Sequence, residues 1–167
     1  KGKSITHQIV FNEHFPKNSS KEKSLSDAFD CYQKAIELNP ENIDALLYCS
    51  RVLFELNRYE EALNYCEKTL GIDAFNAEAW FLKGSLLSEL NRCEEAIKCY
   101  QKSIEIDPVD ISPMICCARL LFNLDRYEEA IVYYNKALEI DPKNDDVWYE
   151  KGKSITHQIV FNEHFPK

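Results

Sequence analysis

Cysteine has the widest chemical reach of the residues in this chain, with seven copies at positions 31, 49, 66, 93, 99, 116 and 117. Thiolates hold zinc when two of them bracket a two-residue gap, and no pair here has that spacing. Cys116 and Cys117 are adjacent, so on a helix they point to different sides. An odd number without framework spacing predicts reduced thiols that act as small hydrophobes in a reducing compartment. Histidine occurs as His7 and His14, copied as His157 and His164. Seven residues apart, the two can share a helix face, and His14 stands beside Glu13, but polar surface histidines are the expectation. A Ser-His-Asp pattern is lacking, as is a phosphate loop, for glycine totals only 4. Glu60-Glu61, Glu94-Glu95 and Glu128-Glu129 read as solvated helix starts rather than paired catalytic acids. The sequence is therefore expected to be no enzyme and to carry no metal and no cofactor.

These residues sit in a chain of 167 amino acids, 45% hydrophobic and 29% charged, which is enough for one domain with a real core. Twenty Lys and Arg against 28 Asp and Glu give a net charge of -8. Nucleic-acid binding, which needs a basic face, is not expected. No apolar run approaches the roughly 18 residues of a membrane span, so membrane insertion is not expected either. The chain opens at Lys1 with neither a start Met nor a leader, and it is expected to be a soluble fragment, cytoplasmic, or alternatively part of an extracellular filament.

Sliding the sequence against itself gives dense matches at an offset of 34. Residues 55–80, 89–114 and 123–148 align without gaps, with Arg58, Arg92 and Arg126 in phase. Small residues recur at Ala62, Ala96 and Ala130 and at Ser50, Gly84 and Ala118. Large ones recur at Leu46, Trp80, Met114 and Trp148 and at Tyr32, Cys66, Tyr100 and Tyr134. A bulky side chain needs a gap opposite it, so each period reads as two packed helices. Asn42, Asn76, Asp110 and Asn144 precede the first helix of each period as N-caps. Pro40, Pro108 and Pro142 end the helix before, and Pro113 falls in a first turn, where its missing N–H breaks no bond. No segment reads as a strand.

With Trp80, Gly84, Leu87, Ala96, Tyr100, Ser103 and Pro108 in order, the chain resembles the tetratricopeptide repeat family over nearly its whole length. Ala74 in place of Pro, Cys66 in place of an aromatic residue and Cys93 in place of Tyr are mild departures. The resemblance implies an all-α, right-handed solenoid of helix-turn-helix repeats. Complete copies would occupy 43–76, 77–110 and 111–144. A copy with a 14-residue insertion and a truncated first helix would occupy 1–42, and the first helix of a further copy 145–167. It also implies a concave face lined by Asp44, Leu47, Arg51 and Phe54; Glu78, Phe81, Ser85 and Ser88; Ser112, Ile115, Arg119 and Phe122; and Asp146, Tyr149, Lys153 and Thr156. Leu47, Arg51, Phe54, Phe81, Ile115, Arg119, Phe122 and Tyr149 are the candidate site for a protein or peptide partner. Apolar anchors would dock there, with Arg51 and Arg119 pairing acidic groups at the ligand's flanks. The family's two-carboxylate clamp is absent, because Leu47, Arg51, Leu82, Ser112 and Cys116 hold its positions.

Residues 1–17 recur without change at 151–167, an offset of 150, equal to four periods of 34 plus the 14-residue insertion. Three origins fit: a window on a longer array of identical units, chains joining head to tail into a filament, or an artificial duplication of the segment. Self-association end to end is the alternative functional expectation. The insertion, roughly His14 to Ser24, reads as an exposed loop, with Ser24 capping the next helix through Asp27. Asn18-Ser19-Ser20 fits a glycosylation acceptor, relevant only outside the cell.

Overall fold

The computed structural model describes residues 17–164. Among them the chain forms eight helices in succession: α1 Lys17–Leu38, α2 Ile43–Glu55, α3 Tyr59–Ile72, α4 Ala77–Glu89, α5 Cys93–Ile106, α6 Ser112–Asn123, α7 Tyr127–Ile140 and α8 Asp145–His164. Strands are absent among the described residues. The closest packing is within α2–α3, α4–α5 and α6–α7, and each hairpin then stacks on the next, which makes the chain an all-α solenoid.

The turn inside each hairpin follows from one residue. Asn57, Asn91 and Asp125 have φ of 58°, 58° and 57°, the left-handed conformation that short polar side chains tolerate better than others. Reversal of the chain there lets the Arg58 N–H donate to the Leu53 carbonyl at 2.8 Å and the Asn57 N–H to that of Phe54 at 2.9 Å. This is the pair of hydrogen bonds of a Schellman ending, and the later hairpins repeat it, with the Arg92 N–H donating to Leu87 and the Arg126 N–H to Leu121 at 2.8 and 2.9 Å, and the Asn91 and Asp125 N–H groups to Ser88 and Phe122 at 3.0 Å. The same arginines close back on their helix starts: each guanidinium donates two hydrogen bonds to a carboxylate, Arg58 to Glu61, Arg92 to Glu95 and Arg126 to Glu129. Hydrogen bonding to the guanidinium holds those three glutamates below the ordinary carboxylate range.

Three of the four expected caps form. The side-chain oxygens of Asn42, Asn76 and Asn144 accept from the N–H groups of Ala45, Ala79 and Val147 at 3.0, 2.9 and 3.1 Å. Asp110 does not cap α6. The donor it needs three residues on is Pro113, which has none, so its carboxylate accepts from Ser112 N–H at 2.9 Å and the helix begins two residues later.

The core alternates large and small residues between paired helices. Gly84 lies under Tyr100, and Ser50 donates to the Ala62 carbonyl at 2.9 Å with Cys66 Sγ 3.1 Å away. Leu53, Leu87 and Leu121 fill one recurrent phase and are all fully or nearly fully buried. Cys49, Cys66, Cys99 and Cys117 are buried among these side chains, and burial pushes the Cys66 thiol up to about 11 and the Cys117 thiol up to about 12.

The expected loop at His14–Ser24 is corrected in part. From Lys17 onward the segment is helix, the opening of the 22-residue α1. Lysine, glutamate and serine make an exposed helix stretch as readily as a loop when an adjacent helix supports it, and Lys21 is tied to Glu55 of α2 at 2.8 Å. Ser24 is mid-helix and donates to the Ser20 carbonyl at 2.9 Å, so it is no cap. Asn18 lies in the first turn of α1. The truncated first helix expected around Gly2 and Ile5, with His7 and His14, falls outside the described residues.

Candidate functional site

Curvature decides which surface is concave. The backbones of α2, α4, α6 and α8 approach one another in succession, whereas those of α1, α3, α5 and α7 do not meet their counterparts. The first set therefore occupies the tighter, inner side of the stack. Side chains bridge the wider outer rim instead: Gln101 donates to the Tyr133 hydroxyl at 3.0 Å, and Arg126 to Glu94 at 2.8 Å.

Two grooves open on the inner side. The first, of about 410 Å³ between α2 and α4, is lined by Arg51, Phe54, Glu55, Glu78, Phe81 and Leu82. It brings together three of the expected site residues. The second, of about 250 Å³ between α6 and α8, is lined by Ser112, Ile115, Cys116, Arg119, Asn144, Asp146, Val147 and Glu150, and holds two more. Between them lie Ser85 and Ser88, small and partly exposed, so the inner face is lower there.

The charges differ from one groove to the other. Arg51 is already engaged, its Nη2 lying 2.5 Å from Glu78 Oε1 across the repeat boundary, which corrects the expectation that it waits for an acidic ligand. Reach explains this, because residues 27 apart in sequence face each other on adjacent inner helices. Arg119 has no ion pair among the described residues and is exposed in its groove. Glu150, beside it, is held instead by Lys153 at 2.9 Å.

Three expected residues fall outside the grooves. Leu47 is 5% exposed and belongs to the core, so no ligand can reach it. Phe122 is covered from α8: the His157 ring sits 5.1 Å from its own and Lys153 Nζ lies 4.8 Å from its centroid. Tyr149 is 69% exposed and stands beyond the second groove. Sequence reasoning missed Glu78 as the partner of Arg51, and Leu82 and Glu150 as lining groups. The signal for the two lining groups was available, since Leu82, Cys116 and Glu150 share one phase of the 34-residue repeat.

Comparison with known proteins agrees with this architecture. Family profiles described as tetratricopeptide repeat match residues 21–74 and 77–110, and one described as TPR repeat matches 118–155. The chain belongs to the tetratricopeptide repeat family. The human small glutamine-rich tetratricopeptide repeat-containing protein beta is 42% identical over 52 residues, covering 30% of this chain and 16% of that protein, so the chain spans a minor part of its length. Among solved structures, MamA superimposes with a TM-score of 0.76 at 19% identity over 87% of this chain and 85% of its own. YrrB, described as a TPR protein with an unusual peptide-binding site, gives 0.67 at 24% over 85% and 73%. A thermophilic TPR protein from Thermus thermophilus gives 0.72 at 17% over 84% and 77%. At these identities the structural likeness establishes the tetratricopeptide fold.

Proposed function

We propose that this tetratricopeptide array is a non-enzymatic interaction scaffold that binds a peptide or helix along its concave face. The observation that carries this reading is the pair of grooves on the inner side, each with an apolar floor, Phe54, Phe81 and Leu82 in one and Ile115 and Val147 in the other. A ligand that fits presents two bulky apolar side chains and one carboxylate, the carboxylate meeting the unpaired guanidinium of Arg119. Small Ser85 and Ser88 leave room for the ligand backbone to pass between the two anchors. Reduced thiols suit a cytoplasmic setting. No helix among the described residues is long and apolar enough to cross a membrane.

The test is fluorescence anisotropy with labelled peptides that carry two Leu or Phe residues and one Glu at varied spacing. Binding is expected to weaken at least tenfold in Phe81→Ser and in Arg119→Glu, with circular dichroism unchanged. Equal affinity in the parent and both variants contradicts the reading.

A further inference from the structure

One buried polar atom lacks a partner, and the repeat shows where it points. Among the described residues, the Tyr134 hydroxyl is the buried side-chain oxygen or nitrogen without a hydrogen bond, on a residue that is 0% exposed. The equivalent groups of the two preceding hairpins are satisfied from the inner helix they pack on. Cys66 Sγ lies 3.1 Å from Ser50 Oγ, and the Tyr100 hydroxyl donates to Ser85 Oγ at 3.4 Å. A buried donor left unmade costs more stability than a made bond returns, so such a group calls for a partner from outside the fold.

One period after Ser85 stands Arg119. A guanidinium has donors and no acceptor, so it cannot take the phenol's proton as the serine oxygen does. The Tyr134 hydroxyl therefore ends against position 119, at the floor of the second groove. Its electrical surroundings agree: burial raises the phenol, Glu150 and Cys116 raise it further, and Arg119 lowers it. All three of these neighbours line that groove. Neither acid of the groove takes the guanidinium, because Glu150 is held by Lys153 at 2.9 Å and Asp146 makes no ion pair among the described residues. Two donors without acceptors, one charged and one buried, thus converge on one spot, which suits an anionic oxygen.

We propose that this part of the second groove is a carboxylate subsite, in which an acidic side chain of the peptide ligand accepts one hydrogen bond from Arg119 and one from the Tyr134 hydroxyl. This rests on the concave-face reading above and makes Tyr134 a specificity-determining residue within it. The hydroxyl lies beneath the groove floor in the free protein, so seating the carboxylate moves the Cys116 or Glu150 side chain aside and the contact forms only with ligand bound. The first groove has no equivalent, because Cys66 holds the phase of the phenol and Arg51 is engaged by Glu78. The acidic residue of the ligand consequently has one place to go, at the α6–α8 end, and this fixes the direction in which the peptide lies.

Fluorescence anisotropy tests this with the labelled peptides that carry two leucines and one glutamate at varied spacing, each set against the same peptide with leucine in place of the glutamate. Tyr134→Phe keeps the ring and removes only the hydroxyl. It is expected to bind the glutamate peptide about tenfold more weakly than the parent does and the leucine peptide equally well. Urea unfolding is expected to show this variant no less stable than the parent, since the lost hydroxyl has no partner in the free protein. Tyr100→Phe, which removes a hydroxyl that has one, is expected to lose stability and to bind both peptides like the parent. Equal affinity of the parent and Tyr134→Phe for the glutamate peptide overturns the subsite and leaves the concave-face reading standing. An equal loss for both peptides also overturns the subsite, because the ring's packing rather than the hydroxyl's bond was then disturbed. A parent that binds no peptide of the series overturns the subsite and the reading beneath it.

Discussion

A Cβ on Gly84 would lie 2.8 Å from two ring carbons of Tyr100, closer than such atoms approach in folded proteins, and the ring is itself buried. Glycine at 84 is thus a packing requirement set by the aromatic residue sixteen positions later. The same phase holds Ser50 opposite Cys66 and Ala118 opposite Tyr134. A methyl group at 84 has to displace a ring with no free space around it, so Gly84→Ala is expected to destabilise the chain by about 1–3 kcal/mol despite the better helix propensity of alanine. Gly152→Ala, at the open equivalent, is expected to stabilise by up to about 1 kcal/mol. Urea unfolding of the two variants checks both signs.

The hairpin turns carry the next prediction. Asn91 holds a φ of 58°, where a β-branched side chain clashes with its own backbone. Asn91→Val is expected to lose about 1–2 kcal/mol, whereas Asn91→Gly is expected to be neutral within a few tenths. Thermal melts followed by circular dichroism separate the two.

Phe54 and Phe122 occupy the same phase but different surroundings. Both rings pack edge-on against a tyrosine, Phe54 on Tyr59 and Phe122 on Tyr127, with centroids 5.5 and 5.4 Å apart. Only Phe122 is also covered by His157. Phe122→Ser is therefore expected to lower stability by about 1–3 kcal/mol with little effect on a ligand. Phe54→Ser is expected to weaken peptide binding and to perturb stability less. Parallel unfolding and anisotropy titrations resolve the assignment.

Buried thiols contribute to the alkaline limit, together with the Tyr100 and Tyr134 phenols, which burial also pushes up. Burial raises Cys49 from 9.0 to about 11, Cys66 to about 11 and Cys117 to about 12. Above pH 9 the unfolded chain releases these protons while the folded chain keeps them, so the unfolded state binds fewer protons and stability falls as pH rises. The decline is expected between pH 9 and about pH 12, and Cys66→Ala is expected to flatten it. On the acid side, the glutamates held low by arginine lose their contribution only as pH falls below 4.5 toward their folded values. Unfolding free energy measured across pH 3–12 checks both limbs.

The sequence carried the fold through recurrence: Asn42, Gly84 and Tyr100 each state a local requirement, and the 34-residue spacing repeats it until the hairpin is unambiguous. The insertion misled because Lys-, Glu- and Ser-rich stretches have no apolar periodicity, yet 17–24 is the opening of α1, with Lys21 paired to Glu55 of α2. In the candidate site, the positions of Phe54, Phe81, Ile115 and Arg119 followed from phase. The capture of Arg51 by Glu78 and the shielding of Phe122 by His157 did not, because both join residues of different repeats at distances set by the superhelical curve.

The central claim, that ligands dock on the inner side through α2, α4, α6 and α8, is tested most directly by amide chemical-shift mapping during titration with a peptide carrying two leucines and a glutamate. The account predicts shifts concentrated at Arg51, Phe54, Phe81, Ile115 and Arg119, with α3, α5 and α7 quiet. Shifts confined to the outer helices would contradict it.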